Sequence, residues 1–224
     1  MIFLRDILDE LRLVLFTKAL LVDSILPSLL FLIINAVWGL WYAVGFSICI
    51  SLLLAFVRIV HKQSLLYVTL GVTGVLLAAL LANLLGRAQG YFLPGMIQNS
   101  ITVLLCFGSV LAKRPLVAFT SFFARRWPLR WYWHERVQPA YREVTLVWGV
   151  FFAVKLWLQI MLFYGQSGEL FGFINTLLGW PATMVLLIVS YVYGIRRLQK
   201  LQGPSVEEFK QDKPEPWEGQ KKGF

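Results

Sequence analysis

The sequence predicts an all-α integral membrane protein, a bundle of six transmembrane helices preceded by an N-terminal interfacial helix. Three observations predict it. Hydrophobic residues fill 58% of the 224 positions and charged residues only 15%, against roughly 25% charge in a soluble domain. The apolar residues gather into six runs near the ~20 residues that carry a helix across a ~30 Å hydrocarbon layer. Lys and Arg gather at alternate ends of those runs. A soluble fold of this size would leave large apolar patches in water, whereas a bilayer gives outward-facing apolar side chains a favourable solvent.

Residues 1–19 open the chain. Leu4, Ile7, Leu8, Leu11 and Leu15 recur at three- and four-residue spacing, with Arg5, Asp6, Asp9 and Glu10 off that stripe. This is the pattern of an amphipathic helix lying in the membrane interface. Acidic residues stand where a secretory signal would be basic, and no small-residue cleavage site follows, so no processing is expected.

The six runs cover 20–38, 41–59, 64–86, 93–112, 144–164 and 170–194. Each must be helical, because an isolated strand would leave unpaired amides in lipid. Trp38 to Trp41 and His61 to Gln63 read as tight turns, and Gly86 to Pro94 as an ordered loop. The even-numbered runs all end in a basic cluster (VRIVHK, VLAKRP, YGIRRL), which suits three related helical hairpins. Five spans is the alternative count, through the first run or the last two. The basic loop 113–142 holds seven Lys or Arg against Glu135; its LVAFTSFFARRW segment suggests a surface helix stopped near Pro128, with Trp127, Trp131, Tyr132 and Trp133 at headgroup depth. The polar, Pro-containing tail, 198–224, reads as disordered.

Charge sets the orientation. Three Lys or Arg precede the first run, two join the second and third, seven join the fourth and fifth, and seven follow the sixth, so 19 of 21 fall on one side. Lys and Arg concentrate on the cytoplasmic side of membrane proteins. Both termini are therefore expected in the cytoplasm, with the chain in the cell inner membrane. The net charge of +9 and the pI near 9.8 would suggest nucleic acid in a soluble chain. Placed at the ends of apolar runs, the charge points to anionic lipid headgroups instead. Cys49 and Cys106 lie within apolar runs and read as unpaired small side chains.

No signature of soluble catalysis is present, and the sequence predicts neither an enzyme nor a cofactor or metal site. His61 and His134 sit in basic turns, and no zinc spacing, phosphate loop or nucleophile elbow occurs. Polar residues inside apolar runs carry more weight. Lys155 and Gln159 fall one turn apart on one face of the fifth run. An ammonium at a helix centre costs ~2.5–3.5 kcal/mol on insertion scales, so it needs protein, water or a partner. Asp23 is the only acid within a run, and Asn99 is an amide candidate. Together Lys155, Gln159, Asn99 and Asp23 read either as a polar path or as glue between helices. Arg87 and Glu169, at the external ends of their runs, read as a possible ion pair or as solvated charges.

The segments GRAQGYFLPGMIQNS (86–100), KRPLVAF (113–119), REVTLVWGVFFAVKLWLQIMLFYG (142–165) and LLGWPATMVLL (177–187) resemble a bacterial membrane family known as domain of unknown function 3159. The resemblance covers roughly residues 20–197. That family is similar in layout to the intracellular septation proteins, small multi-span inner-membrane proteins linked to envelope upkeep and division. The resemblance emphasises Gly86, Arg87, Pro94, Gly95, Asn99, Arg114, Pro115, Lys155, Gln159, Trp180 and Pro181; the family pattern more often has Arg where this chain has Lys155. Pro94 and Gly95 suit a helix N-terminus, and Pro181 should kink the sixth run and free a carbonyl near residue 177. The expected function is a non-enzymatic protein supporting envelope biogenesis or septation, or organising a membrane complex, with a membrane-protein partner or a second copy as companion. The alternative is a small transporter or channel subunit with its path at Lys155 and Gln159.

Overall fold

The computed structural model describes residues 30, 33, 34, 37–60, 65–86, 88–165 and 168–224. The expected interfacial helix, 1–19, and most of the first run lie outside them. Among the described residues all regular structure is helical: α1 Leu40–Val60, α2 Leu65–Leu85, a 3-10 turn Ala88–Phe92, α3 Leu93–Leu111, α4 Leu116–Arg125, α5 Leu129–Tyr132, α6 Gln138–Phe163, α7 Gly168–Leu177, α8 Trp180–Leu201 and α9 Val206–Lys210.

Among the described residues three helical stretches are long and apolar enough to cross a membrane, Gln89–Leu111, Gln138–Phe163 and Leu170–Leu201. At most 17% of their most apolar windows is buried, so most of that apolar surface finds no cover among the described residues. Helices α1 and α2 contain 21 residues each, about 31 Å at 1.5 Å per residue. Gly39 separates α1 from the helical residues before it. Its φ of 87° is left-handed backbone that glycine adopts without a Cβ clash.

The sixth run is interrupted rather than bent. Pro181 has no N–H and its ring clashes with the carbonyl four residues back, so α7 stops at Leu177 and α8 begins at Trp180 with Pro181 in its first turn. Between them Gly179 N–H donates to Thr176 O at 3.1 Å, and the Thr183 N–H and hydroxyl both donate to Gly179 O, at 3.0 and 2.8 Å. The broken ladder is thus largely satisfied on the spot.

The chain divides into two compact units, 1–98 with 157–183 and 99–156 with 184–224. In the first, α1 packs on α2, and both α2 and α7 pack on the 3-10 turn. Its core is Ile34, Ala43, Ala78, Ala82, Tyr91, Phe92 and Phe171. Phe171 lies edge-to-face with Phe92 at 5.4 Å and with Phe163 at 6.2 Å. Ala78 and Ala82 are buried on α2, and a Cβ on Gly90 would stand 2.8 Å from the Ala82 Cα. Small residues on both partners let the 3-10 turn press onto the helix.

In the second unit α6 crosses α3 at Gly149, where a Cβ would meet the Phe107 ring at 3.2 Å and the Cys106 Cβ at 3.3 Å. Cys106 is buried, Cys49 is exposed, and both are free thiols. The core of this unit sits at the helix ends: Val117, Ala118, Trp131, Tyr132, Val137, Ala140, Tyr141, Val144, Leu198 and Val206. It explains why α6 begins at Gln138, six residues ahead of the apolar run that starts at 144. The added turn buries Ala140 and Tyr141 in protein instead of lipid.

Residues 198–224 do not form the disordered tail expected of them. Helix α8 continues to Leu201, α9 follows, and the remainder packs on the second unit's core. The polar composition hid the apolar anchors Val206, Phe209 and Phe224, which bury enough surface to order the segment.

Candidate functional site

The C-terminal end of α3, the N-terminal end of α6 and the C-terminal end of α8 meet in the second unit, and segments 113–137 and 202–224 cap them. Gln138 Nε2 donates to Lys113 O at 2.6 Å, tying α6 to the end of α3. Val117 N–H donates to Thr145 Oγ1 at 3.2 Å, setting the first turn of α4 on α6. Arg197 on α8 grips Glu143 on α6 with both arms of its guanidinium, Nε to Oε2 at 2.8 Å and Nη2 to Oε1 at 2.7 Å, while Tyr193 OH donates to Oε2 at 2.7 Å. Further along, Trp148 Nε1 donates to Ser190 Oγ at 2.8 Å. Helices α3, α6 and α8 therefore bring the basic ends of three apolar stretches together in the second unit.

Chain chemistry shapes the cap. Pro115 starts α4 as its N-cap, and Arg126, at φ 57°, ends it in the left-handed conformation with its N–H on Phe122 O. Pro128 then starts α5. A helix does stand before Pro128, at Leu116–Arg125. Two of the four rings expected at headgroup depth are buried inside the protein. Trp131 and Tyr132 are 0% exposed, because they make the cap's own core with Tyr141: Trp131–Tyr132 and Tyr132–Tyr141 lie edge-to-face at 5.1 Å. Ser121 and Tyr132 share a hydrogen bond at 3.1 Å, and Trp131 Nε1 donates to Pro204 O at 2.8 Å.

The last 22 residues fit onto this core. Phe224 stacks on Tyr141 at 4.3 Å, with Arg125 Nε donating to its carbonyl at 3.1 Å. Gly194 makes the room: a Cβ there would stand 2.4 Å from the Phe224 ring. Arg136 pairs with Glu215 and stacks over Trp217, and Arg114 stacks over Trp133.

Glu208 closes the segment. Its carboxylate accepts from Ser205 N and Glu218 N at 2.8 Å and from Gly219 N at 3.3 Å, while Ser205 Oγ accepts from Glu208 N to complete a capping box. These donors, Ser205 N–H foremost, lower the carboxyl from its ordinary 4.5 to about 2. A depressed acid stabilises the fold above its unfolded pKa and loses that contribution as pH falls through the folded one. The segment is therefore expected to stay protected from amide exchange at pH 5 and to open between pH ~4.5 and ~2. Glu208→Gln should flatten that step and cost about 1–3 kcal/mol locally, read by hydrogen exchange of residues 205–220.

The cap is strongly basic. Residues 113–145 and 193–224 contain fourteen Lys and Arg and seven Asp and Glu. On its rim an open groove of ≈ 370 Å³ is lined by Glu143, Tyr193, Arg196, Arg197 and Lys200.

The intramembrane candidates are only partly joined. Gln159 is 2% exposed and donates to Asn175 Oδ1 on α7. Beside Asn175, the Thr176 hydroxyl is sealed with no hydrogen-bond partner among the described residues. Lys155 is half-buried, its Nζ 6.0 Å from the Phe152 ring centroid, and it meets no acid among the described residues. Asn99 is buried on α3. Asp23 and Arg87 lie outside the described residues, as does the side chain of Glu169, whose backbone belongs to α7. The residues missed in the sequence are Asn175, Glu143, Tyr193 and the Trp131–Tyr132–Tyr141 core. Asn175 carried the signal that singled out Asn99, an amide inside an apolar run. Glu143, a lone acid beside Arg142 at a helix entry, carried a weaker one. Among the described residues no group of three His, Cys, Asp or Glu is placed to hold a metal.

Residues 18–202 match the family model described as "Protein of unknown function (DUF3159)". No curated protein and no solved structure matches the chain.

Proposed function

The chain belongs to the DUF3159 family, and from that premise we propose that it is a non-enzymatic, six-span inner-membrane protein whose basic cap faces the cytoplasm and organises a membrane complex in envelope biogenesis or septation. Three stretches apolar and long enough to cross support the membrane reading. Helices α1 and α2, with the run at 20–38 ahead of them, supply the remaining spans in this reading. The observation that carries the organising role is the cap itself. Some fifty residues outside the apolar stretches are spent on a buried aromatic core and an ordered C-terminal segment. A loop that served topology alone would need only its positive charges.

The test is photocrosslinking in the native membrane from exposed cap positions such as Arg130 and Lys210. A discrete adduct, to one membrane protein or to a second copy, is expected. A protein that stays solitary from every cap position would refute the organising role.

The transporter reading has one observation in its favour, the Lys155 ammonium that among the described residues stands near the Phe152 ring and meets no acid. It requires Lys155→Met to abolish solute or ion flux in proteoliposomes while the protein stays folded; unchanged flux makes the lysine structural.

A further inference from the structure

We propose that the groove between α6 and α8 on the cap's rim binds the phosphodiester headgroup of an anionic phospholipid, with the acyl chains running along the two helices. The inference rests on the cytoplasmic orientation of the cap and is independent of any protein partner.

Charge is the first argument. Of the groove's four charged side chains, Glu143 and Arg197 neutralise each other through the two-armed contact at 2.7 and 2.8 Å. Arg196 and Lys200 remain. They lie four residues apart on the exposed side of α8, and among the described residues neither meets an acid. Two cations one turn apart match one phosphodiester, a planar donor fork from Arg196 and a point charge from Lys200. The Glu143–Arg197–Tyr193 contact gives the groove a fixed floor, because its hydrogen bonds lock three side chains that would otherwise move.

The second argument separates a lipid from a free anion. Away from the groove, Val147, Val150 and Val154 follow Glu143 at four, seven and eleven residues on one face of α6, and are 45%, 56% and 51% exposed. Val189 and Val185 precede Tyr193 at four and eight residues on α8, and are 51% and 60% exposed. A cationic pocket thus stands at the head of two uncovered apolar stripes. Inorganic phosphate uses only the pocket, whereas a phospholipid uses both. The volume of ≈ 370 Å³ is within the range of small-molecule sites, room for a glycerophosphate headgroup.

Native mass spectrometry of the full chain in detergent, with added dioleoylphosphatidylglycerol or dioleoylphosphatidylcholine, tests this. The wild type should retain the anionic lipid preferentially. Arg196→Gln with Lys200→Gln should lower that retention about tenfold or more, the scale of two cations at an anionic headgroup. Lys210→Gln with Lys213→Gln removes the same charge elsewhere on the cap and should change retention by less than about twofold. Equal losses in both double variants would mean diffuse attraction and overturn the site. So would a wild type that holds both lipids alike. Displacement of the bound lipid by excess inorganic phosphate would reassign the groove to a free anion. Because both targeted side chains are exposed, the variants keep the fold. A wild type that retains no anionic lipid while its cap crosslinks stay intact would refute this site and leave the organising role standing.

Discussion

Trp131→Ala should release the C-terminal segment from the cap. The indole is 0% exposed, lies edge-to-face with Tyr132, Trp127 and Tyr141 at 5.1, 5.3 and 6.1 Å, and donates to Pro204 O. Removing a fully buried tryptophan costs about 3–5 kcal/mol through lost transfer energy and the cavity left behind. The loss falls where residues 203–224 dock, because Pro204 loses its donor and Val206 loses part of its core. The expected result is rapid trypsin cleavage at Lys210, Lys221 and Lys222 in detergent-solubilised protein, with the apolar helices still resistant. Trp131→Phe keeps one aromatic ring but loses the fused five-membered ring and its N–H, so its cost should be smaller than that of Trp131→Ala and its tail should be cleaved more slowly. Unchanged tail protection in Trp131→Ala would contradict a core built on this residue.

The second large effect is expected at Glu143. Its carboxylate takes both arms of Arg197 and the Tyr193 hydroxyl, with Glu143 and Arg197 side chains only 27% and 29% exposed. Bonds to a charged group contribute roughly 1.5–3 kcal/mol each before solvent screening. Glu143→Gln removes the charge and one arm of the fork, so a destabilisation of about 1–3 kcal/mol follows. Arg197→Lys keeps the charge but not the planar geometry, and its cost should be smaller yet clearly above zero. Thermal unfolding in detergent reads both. A double variant no worse than Glu143→Gln alone would establish the coupling between α6 and α8, and strictly additive losses would deny it.

The helical character, a disturbance of the sixth run at Pro181 (read as a kink, found as a break), the short helix before Pro128 and the unpaired cysteines were legible in the sequence because each depends on local chemistry. Apolar run length, proline stereochemistry and cysteine placement need no knowledge of neighbours. What depends on tertiary contact was not legible. Trp131 and Tyr132 look like interfacial rings when only their composition is read; that they face each other and Tyr141 follows from α5 turning back onto the start of α6. The tail looked disordered for a related reason: Phe209, Trp217 and Phe224 are sparse in a polar segment, and their partners lie some seventy to eighty residues earlier. Ala88–Phe92 read as a loop since Gly90 disfavours a helix in isolation, yet its missing side chain is what lets the 3-10 turn sit on Ala82. Within the polar candidate site, Gln159 was found and its acceptor Asn175 was not, because a helix face is legible in one segment and its pairing with another is not.

Site-specific labelling tests the central claim, that apolar helices cross the bilayer with their basic ends and cap on the cytoplasmic side. In a chain with Cys49 and Cys106 replaced, a single cysteine is placed at 87 or at 130 and exposed to a membrane-impermeant maleimide in intact cells. Arg87→Cys should react at once, and Arg130→Cys only after the membrane is permeabilised. Equal reaction of the two positions from outside would contradict the orientation and, with it, the cytoplasmic cap.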